Sequence, residues 1–260
     1  MYQTGLQKRT VEVPALKKAH KHRPQSPYMR RSRNMPPDFV MNRVFLIANG
    51  EPDLPLDWGQ HQYESDRIIC ADGGSKYLDQ LGFRKNAKSI TIVGDLDSSA
   101  DNLIVELESQ GATIKRFPRE KDASDLELAI SEALAVTPLE EIICIAMLGG
   151  RPDHALANVT LLSRFAERNV KIKLIGANWQ AQFVTRDQPL RFEGKTNDVL
   201  SIVPLSAVIE NVSARGLKWP LKNARLEWGN SLTISNEFES DVVEVEVEKG
   251  TLLVFHFVSG

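Results

Sequence analysis

The rhythm of apolar and polar positions changes twice along this chain. From Arg43 onward, short runs that are apolar almost throughout end in glycine, asparagine or aspartate: "RVFLIANG", "RIICADGG", "SITIVGD", "EIICIAML" and "KIKLIGA". Strands without polar alternation are buried on both faces, the mark of a parallel sheet covered by helices. Segments of helical spacing separate them. "KYLDQLG" closes at Gly82, "NLIVELESQG" closes at Gly111, and "GGRPDHALANVTLLSRFAERN" is a turn leading into a helix. The clearest helix spans residues 124–136 and opens with the capping pattern Ser-x-x-Glu at Ser124 and Glu127. "ATIKRFP" adds a short strand. This alternation predicts an α/β domain over residues 41–177.

The second change falls near Asn178, where helical spacing disappears. "QAQFVTR", "DVLSIVPLSA", "VIENVSARGLKWP", "SLTISNEF", "VVEVEVEKG" and "TLLVFHFVS" are short β-type runs divided by Gly, Pro, Asn and Asp. "VVEVEVE" alternates strictly, so one of its faces is wet. A smaller all-β domain, a sandwich or barrel over residues 178–260, is expected.

Composition narrows this picture. The chain has 260 residues, 42% of them hydrophobic, and a formal net charge of −2, which favours neither a nucleic-acid partner nor a membrane surface. No run of apolar residues is long enough to cross a bilayer. Cys70 and Cys144 both lie inside apolar runs and are expected to be buried, reduced thiols, in keeping with a cytoplasmic protein. Residues 1–40 differ from the rest. They carry nine of the 32 lysines and arginines, only two acids (Glu12 and Asp38) and five prolines. Such a segment cannot build a core and is expected to be a disordered extension.

Ligands of open parallel sheets gather at the carboxyl ends of the strands. Here those ends read "ADGG" at residues 71–74, "GDLDS" at 94–98 and "LGGRPD" at 148–153. Asp72, Asp95, Asp97 and Asp153 therefore approach one edge, and Asp122 and Asp125 flank the start of the capped helix. Asp95 and Asp97 alone would serve as helix caps, but Ser124 already caps its helix and leaves Asp125 without that role. Like charges repel, more so when buried, and no lysine or arginine stands beside "GDLDS" in the sequence. Such a cluster calls for a cation. Hard oxygen donors without His or Cys favour magnesium over zinc. Magnesium is commonly shared with substrate phosphates. The backbone amides of Gly73, Gly74, Gly149 and Gly150, with Arg151 and Lys121, are candidate phosphate donors. The combination fits phosphoryl-group transfer.

Taken in order, "CADGGSKYL", "VGDLDS", "KDASDLELAI", "LGGRPDHALANVTLL", "LSIVPLSA", "ARGLKWPL" and "LTISNEF" resemble the thiamine pyrophosphokinase family from about Val44 to Val258. The resemblance implies a catalytic α/β domain followed by a β domain, and homodimers with active sites between subunits. It also implies transfer of a pyrophosphoryl group from ATP to thiamine with the help of magnesium, giving thiamine diphosphate and AMP. Carried over by position, it makes Asp72, Asp95, Asp97 and Asp125 catalytic, with Asp95, Asp97 and Asp125 on the metal. Gly73, Gly74, Asp122, Arg151 and Asp153 fall on the nucleotide side. Trp219 would pack against the vitamin's rings, while Ser235 and Asn236 would hydrogen-bond its aminopyrimidine from the partner chain. Thiazolium is a cation, and an aromatic face attracts one by roughly 0.5–2 kcal/mol. Read from the residues alone, Trp219 also fits a core position, Ser235 and Asn236 a turn, and His154 a packing or solvent-facing residue. One departure is Leu96, where the family often has Phe. "GDLDSS" also resembles the nucleophile loop of haloacid dehalogenase phosphatases, but that loop opens its fold on the first strand, and here at least two strands precede it.

Overall fold

The computed structural model describes residues 42–54, 66–83, 89–97 and 101–259. The expected basic extension lies outside the described residues. Six parallel strands form the first part: β1 (Arg43–Ile47), β2 (Arg67–Ala71), β3 (Ile90–Gly94), β4 (Thr113–Arg116), β5 (Glu141–Ile145) and β6 (Ile172–Ile175), in the spatial order β6-β5-β1-β2-β3-β4. Every residue of β1 is buried: Val44 to Ile47 form an uninterrupted apolar run, and Arg43 is buried in a pair with Asp66 at 2.6 Å.

Among the described residues three α-helices accompany them: α1 (Asp101–Ser109), α2 (Asp125–Leu134) and α3 (Pro152–Ala166). The start of α2 follows from its sequence, since the Ser124 hydroxyl accepts a hydrogen bond from the Glu127 amide at 3.2 Å. Its buried face is Leu126, Ala129, Ile130 and Ala133, at helical spacing, and it packs on β1, β2 and β3. Burying a leucine or isoleucine is worth about 1.5–3 kcal/mol, so this face fixes where the helix, and Asp125 with it, stands on the sheet.

"KYLDQLG" behaves differently from its pattern. The chain instead makes a 3₁₀ turn over Asp72–Tyr77. Glycine is a poor helix former, and Gly73 and Gly74 sit at the start of this turn. Their backbone is needed close to β1, for a Cβ on Gly74 would lie 2.3 Å from the Ile47 carbonyl oxygen.

Strand β7 (Trp179–Val184) turns back antiparallel to β6, and the sheet continues without a break. With β9 (Val199–Pro204), β12 (Asn236–Glu237) and β14 (Leu252–Phe257) it reaches ten strands, ordered β12-β9-β14-β7-β6-β5-β1-β2-β3-β4. A second, antiparallel sheet is ordered β11-β10-β13-β8. It comprises β8 (Leu190–Glu193), β10 (Val208–Arg215), β11 (Leu221–Glu227) and β13 (Val242–Glu246). Leu200, Ile202 and Val254 of the large sheet share a core with Phe192, Val212 and Val243 of the small one. The β part is thus a sandwich that borrows one layer from the extended parallel sheet. Strand β13 shows the expected alternation of buried and exposed residues. Strands β8 and β11 are additions to the sequence reading, and β11 is mostly exposed.

Inside the sandwich, His256 Nε2 donates to Asp198 Oδ2 at 2.9 Å, and both side chains are almost wholly buried. Asp198 also accepts from the amides of Lys195 and Ser259, at 3.0 and 2.9 Å. Phe238 stacks on the imidazole with ring centroids 4.7 Å apart. Burial pushes the Asp198 carboxyl up, but the hydrogen bonds from His256, Lys195 and Ser259 outweigh it and leave the carboxyl below its ordinary value. Cys70 and Cys144 are free and buried, and burial pushes both thiols up, out of the reactive range. No helix among the described residues is long and apolar enough to cross a membrane.

Candidate active site

Asp72 follows β2 directly, Asp95 follows β3, and Asp125 opens α2. One carboxylate oxygen from each lies within 4.8 Å of the others. Gly94 makes the meeting possible. It ends β3 at φ +155°, and a Cβ there would stand 3.1 Å from the Asp72 Cα and 3.2 Å from Asp125 Oδ1. Two residues of the rim are strained as well: Asp72 has φ +46° and Leu96 φ +63°. A side chain held in that region costs about 1–3 kcal/mol, an expense concentrated at functional sites. For Leu96, buried to 4% exposure, burial of the side chain offsets the cost.

The turn at Leu96 separates the two aspartates that the sequence sets side by side. The Asp97 amide donates to Asp95 Oδ1 at 3.3 Å, whereas the Asp97 carboxylate is exposed and lies 4.0 Å from Arg119. Asp95 belongs to the trio of acids; Asp97 stands at its margin. Asp122 is exposed. Gly73 and Gly74 are buried in the turn that carries Asp72.

The acids are less bare than their sequence neighbourhood implies, because Lys121 reaches Asp125 Oδ1 at 2.9 Å. That ammonium offsets part of the charge. Three carboxylates converging as hard oxygen donors, with no sulfur or imidazole among them, still fit magnesium.

A cavity of about 590 Å³ opens beside the trio and is lined by Asp72, Asp125, Asn49, Ser124, Arg151 and His154, among others. Its size lies within the range of small-molecule sites. Arg151 is the N-cap residue of α3 and forms a two-pronged pair with Asp153, at 3.1 and 2.5 Å. The hydrogen bond from Arg151 is the main cause that draws the Asp153 carboxyl down to about 2, and the same pairing raises the guanidinium. Asp153 is therefore an anion throughout the neutral range and a holder of Arg151, not a proton carrier.

Sequence reasoning passed over Asn49, whose Oδ1 accepts from Lys76 Nζ at 2.7 Å, and it placed His154 away from the site. The signal for Asn49 was present: it ends an apolar strand run just as Asp72 and Asp95 do. Reading Asn-Gly only as a turn concealed it. A second cavity of about 340 Å³ shares Gly149 with the first and is lined by Met147, Leu148, Trp179, Phe255 and Phe257, with Glu51 among its polar residues.

In the β part, Trp219 is 54% exposed, which excludes the core reading. Trp228, Leu232 and Ile234 are exposed as well, so the described surface carries several large apolar side chains. Lys218 Nζ lies 4.8 Å from the Trp219 ring centroid and pairs with Glu237 at 2.9 Å. Ser235 is exposed at φ +60°, its amide donating to Ser201 Oγ at 2.9 Å. Asn236 is buried, and its amide group faces the Trp219 backbone.

Comparison with known proteins agrees with both halves of this arrangement. The thiamin pyrophosphokinase catalytic-domain family matches residues 59–174, and the thiamin pyrophosphokinase vitamin B1 binding domain family matches residues 187–252. A thiamine pyrophosphokinase of Bacillus subtilis is 28% identical over 214 residues, covering 82% of this chain and 98% of its own. Thiamine pyrophosphokinase 1 of Oryza sativa subsp. japonica is 25% identical over 210 residues, covering 74% of this chain and 77% of its own. The crystal structure of the Bacillus subtilis thiamine pyrophosphokinase superimposes with a TM-score of 0.71 at 27% identity, over 84% of this chain and 100% of that one. The chain belongs to the thiamine pyrophosphokinase family.

Proposed function

We propose that this protein transfers a pyrophosphoryl group from ATP to the hydroxyethyl group of thiamine, yielding thiamine diphosphate and AMP. The observation that carries the reading is the meeting of Asp72, Asp95 and Asp125 beside a cavity that also holds Arg151. The thiamine hydroxyl oxygen bonds to the β-phosphorus as the bond from that phosphorus to the AMP oxygen breaks. The hydroxyl proton passes to a carboxylate of the trio. Arg151, held by Asp153, binds the triphosphate. Asp72, Asp95 and Asp125 would hold magnesium, which when bound neutralises phosphate charge during the transfer.

The aromatic-lined cavity suits the nucleotide's base, because it adjoins the acidic cavity at Gly149 and has Trp179, Phe255 and Phe257 in its lining. Trp219 takes a face of the thiazolium ring. Its exposure, with that of Trp228, Leu232 and Ile234, supports a homodimer in which the partner's surface completes each site. The division of labour follows the chain in the main: residues 41–177 serve the triphosphate and metal, residues 178–260 serve thiamine while lending Trp179, Phe255 and Phe257 to the nucleotide's base, and the setting is cytoplasmic. The test is AMP release measured with thiamine omitted and then supplied. Equal amounts of AMP and thiamine diphosphate, only when both substrates are present, are expected; ADP in place of AMP, or no thiamine dependence, overturns the reading.

A further inference from the structure

We infer that Asn236 is a positioning residue for Trp219. The inference rests on the proposed contact between Trp219 and thiamine. Both polar atoms of the Asn236 side-chain amide are committed to the protein backbone. Oδ1 accepts from the Trp219 amide at 3.2 Å and from the Glu237 amide at 2.9 Å, and Nδ2 donates to the Trp219 carbonyl oxygen at 2.7 Å. This network also fixes the orientation of the group, for turning it over would set an NH₂ against two N–H donors. One side chain thus acts as a short strand would, holding both backbone polar groups of a residue 17 positions away. Aspartate cannot do this, lacking the donor, and neither can an aliphatic residue.

The clamp lies where Trp219 needs one. Trp219 is 54% exposed, so packing cannot fix it, whereas Asn236 is only 7% exposed and is anchored by the pairing of β12 with β9. Leu217 and Phe238, both buried, form an isolated bridge just before Trp219, and the Lys218 amide donates to the Glu237 carbonyl at 2.9 Å. The chain therefore leaves the sandwich core at Leu217, and Asn236 sets the direction in which Trp219 emerges. A flat cation needs the ring at a fixed place and angle, and a ring free to swing would lose much of that attraction in ordering itself.

The experiment is a double-mutant cycle on thiamine KM with ATP KM as the internal control, using Asn236→Asp, Asn236→Ala and Trp219→Ala in the full chain. Either Asn236 substitution alone is expected to raise the thiamine KM about tenfold and leave the ATP KM within about twofold. In the Trp219→Ala background the same substitution is expected to add less than about twofold, because the residue it acts through is gone. An undiminished effect in that background overturns the inference and returns Asn236 to direct contact with the ligand. Equal rises in both KM values overturn it in favour of general structural damage. Hydrogen exchange at the Trp219 amide, measured without substrate, should accelerate in Asn236→Ala, and unchanged protection overturns the clamp. If the unmodified protein makes no thiamine diphosphate, the proposed function fails, while the exchange measurement still decides the clamp.

Discussion

Two regions of the molecule, the sheet rim and the sandwich interior, solve opposite problems with their acids. At the rim of the parallel sheet, Asp72, Asp95 and Asp125 come from three separate segments and are brought together despite their mutual repulsion. In the sandwich, the buried carboxylate of Asp198 is surrounded by His256 and two backbone amides. The first three converge beside a cavity, and the Asp198 carboxylate is satisfied by donors of the chain itself. Burial and charge alone do not separate a functional acid from a structural one; the donors around each acid do.

The strongest way to break this contrast is to exchange the consequences. Asp95→Asn is expected to lower turnover about 10²–10³-fold at saturating magnesium, the loss typical of removing one charge-stabilising group. Folding stability should hold or rise, since one like charge leaves the cluster. Asp97→Asn, at the margin beside Arg119, should cost no more than about tenfold. Product formation and thermal unfolding, measured on the same preparations, check both. An Asp95→Asn protein that is unstable yet turns over normally would place the rim acids with Asp198 as structural groups.

Asp198→Asn should do the reverse. Asn offers one acceptor oxygen where Asp198 uses two, so a donor is left facing a donor, at a cost of about 1.5–3 kcal/mol. Activity per folded molecule should not change. The sign of the pH dependence follows from the lowered carboxyl. Its contribution to stability is complete above the ordinary value of 3.8 and is lost as pH falls through the lower value of the folded state. Urea midpoints followed from about pH 5 down to about pH 2 should fall in the parent and fall less in Asp198→Asn. Parallel curves would deny Asp198 that stabilising role.

The contrast also explains what the sequence could disclose. Strand ends are legible because apolar runs stop abruptly, so the apolar pattern alone sets Asp72 and Asp95 on one edge and brings Asp125 near it. The split between Asp95 and Asp97 was not legible, since it depends on a left-handed Leu96 that pattern reading treats as ordinary. Lys121 was visible four residues before Asp125, but its reach depends on the shape of the chain entering α2. In the sandwich, β11 was missed because an exposed strand has little apolar signal, and the continuation of the large sheet through β7 is a matter of topology that local pattern does not encode. Trp219 could be named as an aromatic, but not as an exposed one.

Trp219→Ala sharpens the comparison from the other end, with a smaller effect. Losing a cation–π face should raise the thiamine KM about two- to thirtyfold, with the ATP KM unmoved. Lys218 already rests near the ring, so the ring is placed to receive a cation and thiamine has a competitor to displace. Lys218→Ala should then lower the thiamine KM or leave it unchanged. A rise as large as that of Trp219→Ala would mean that Lys218, rather than the ring, makes the contact.

The smallest effect belongs to Ser124, which stands in both categories. It caps α2 through the Glu127 amide, and it also lines the acidic cavity. Removing a cap costs about 0.5–2 kcal/mol, so Ser124→Ala should lower the unfolding free energy by about that amount. Asp125, the first residue of α2, owes its place to the helix start, but the apolar face of Leu126 and Ile130 holds the helix down without the cap. Turnover should therefore fall by no more than about threefold, with Ser124→Thr restoring stability because a threonine hydroxyl can cap as well. If Ser124→Ala instead lost turnover as severely as Asp95→Asn while unfolding normally, Ser124 would contact the reacting groups themselves. Its hydroxyl would then belong with the acids, and the helix start would not be its purpose.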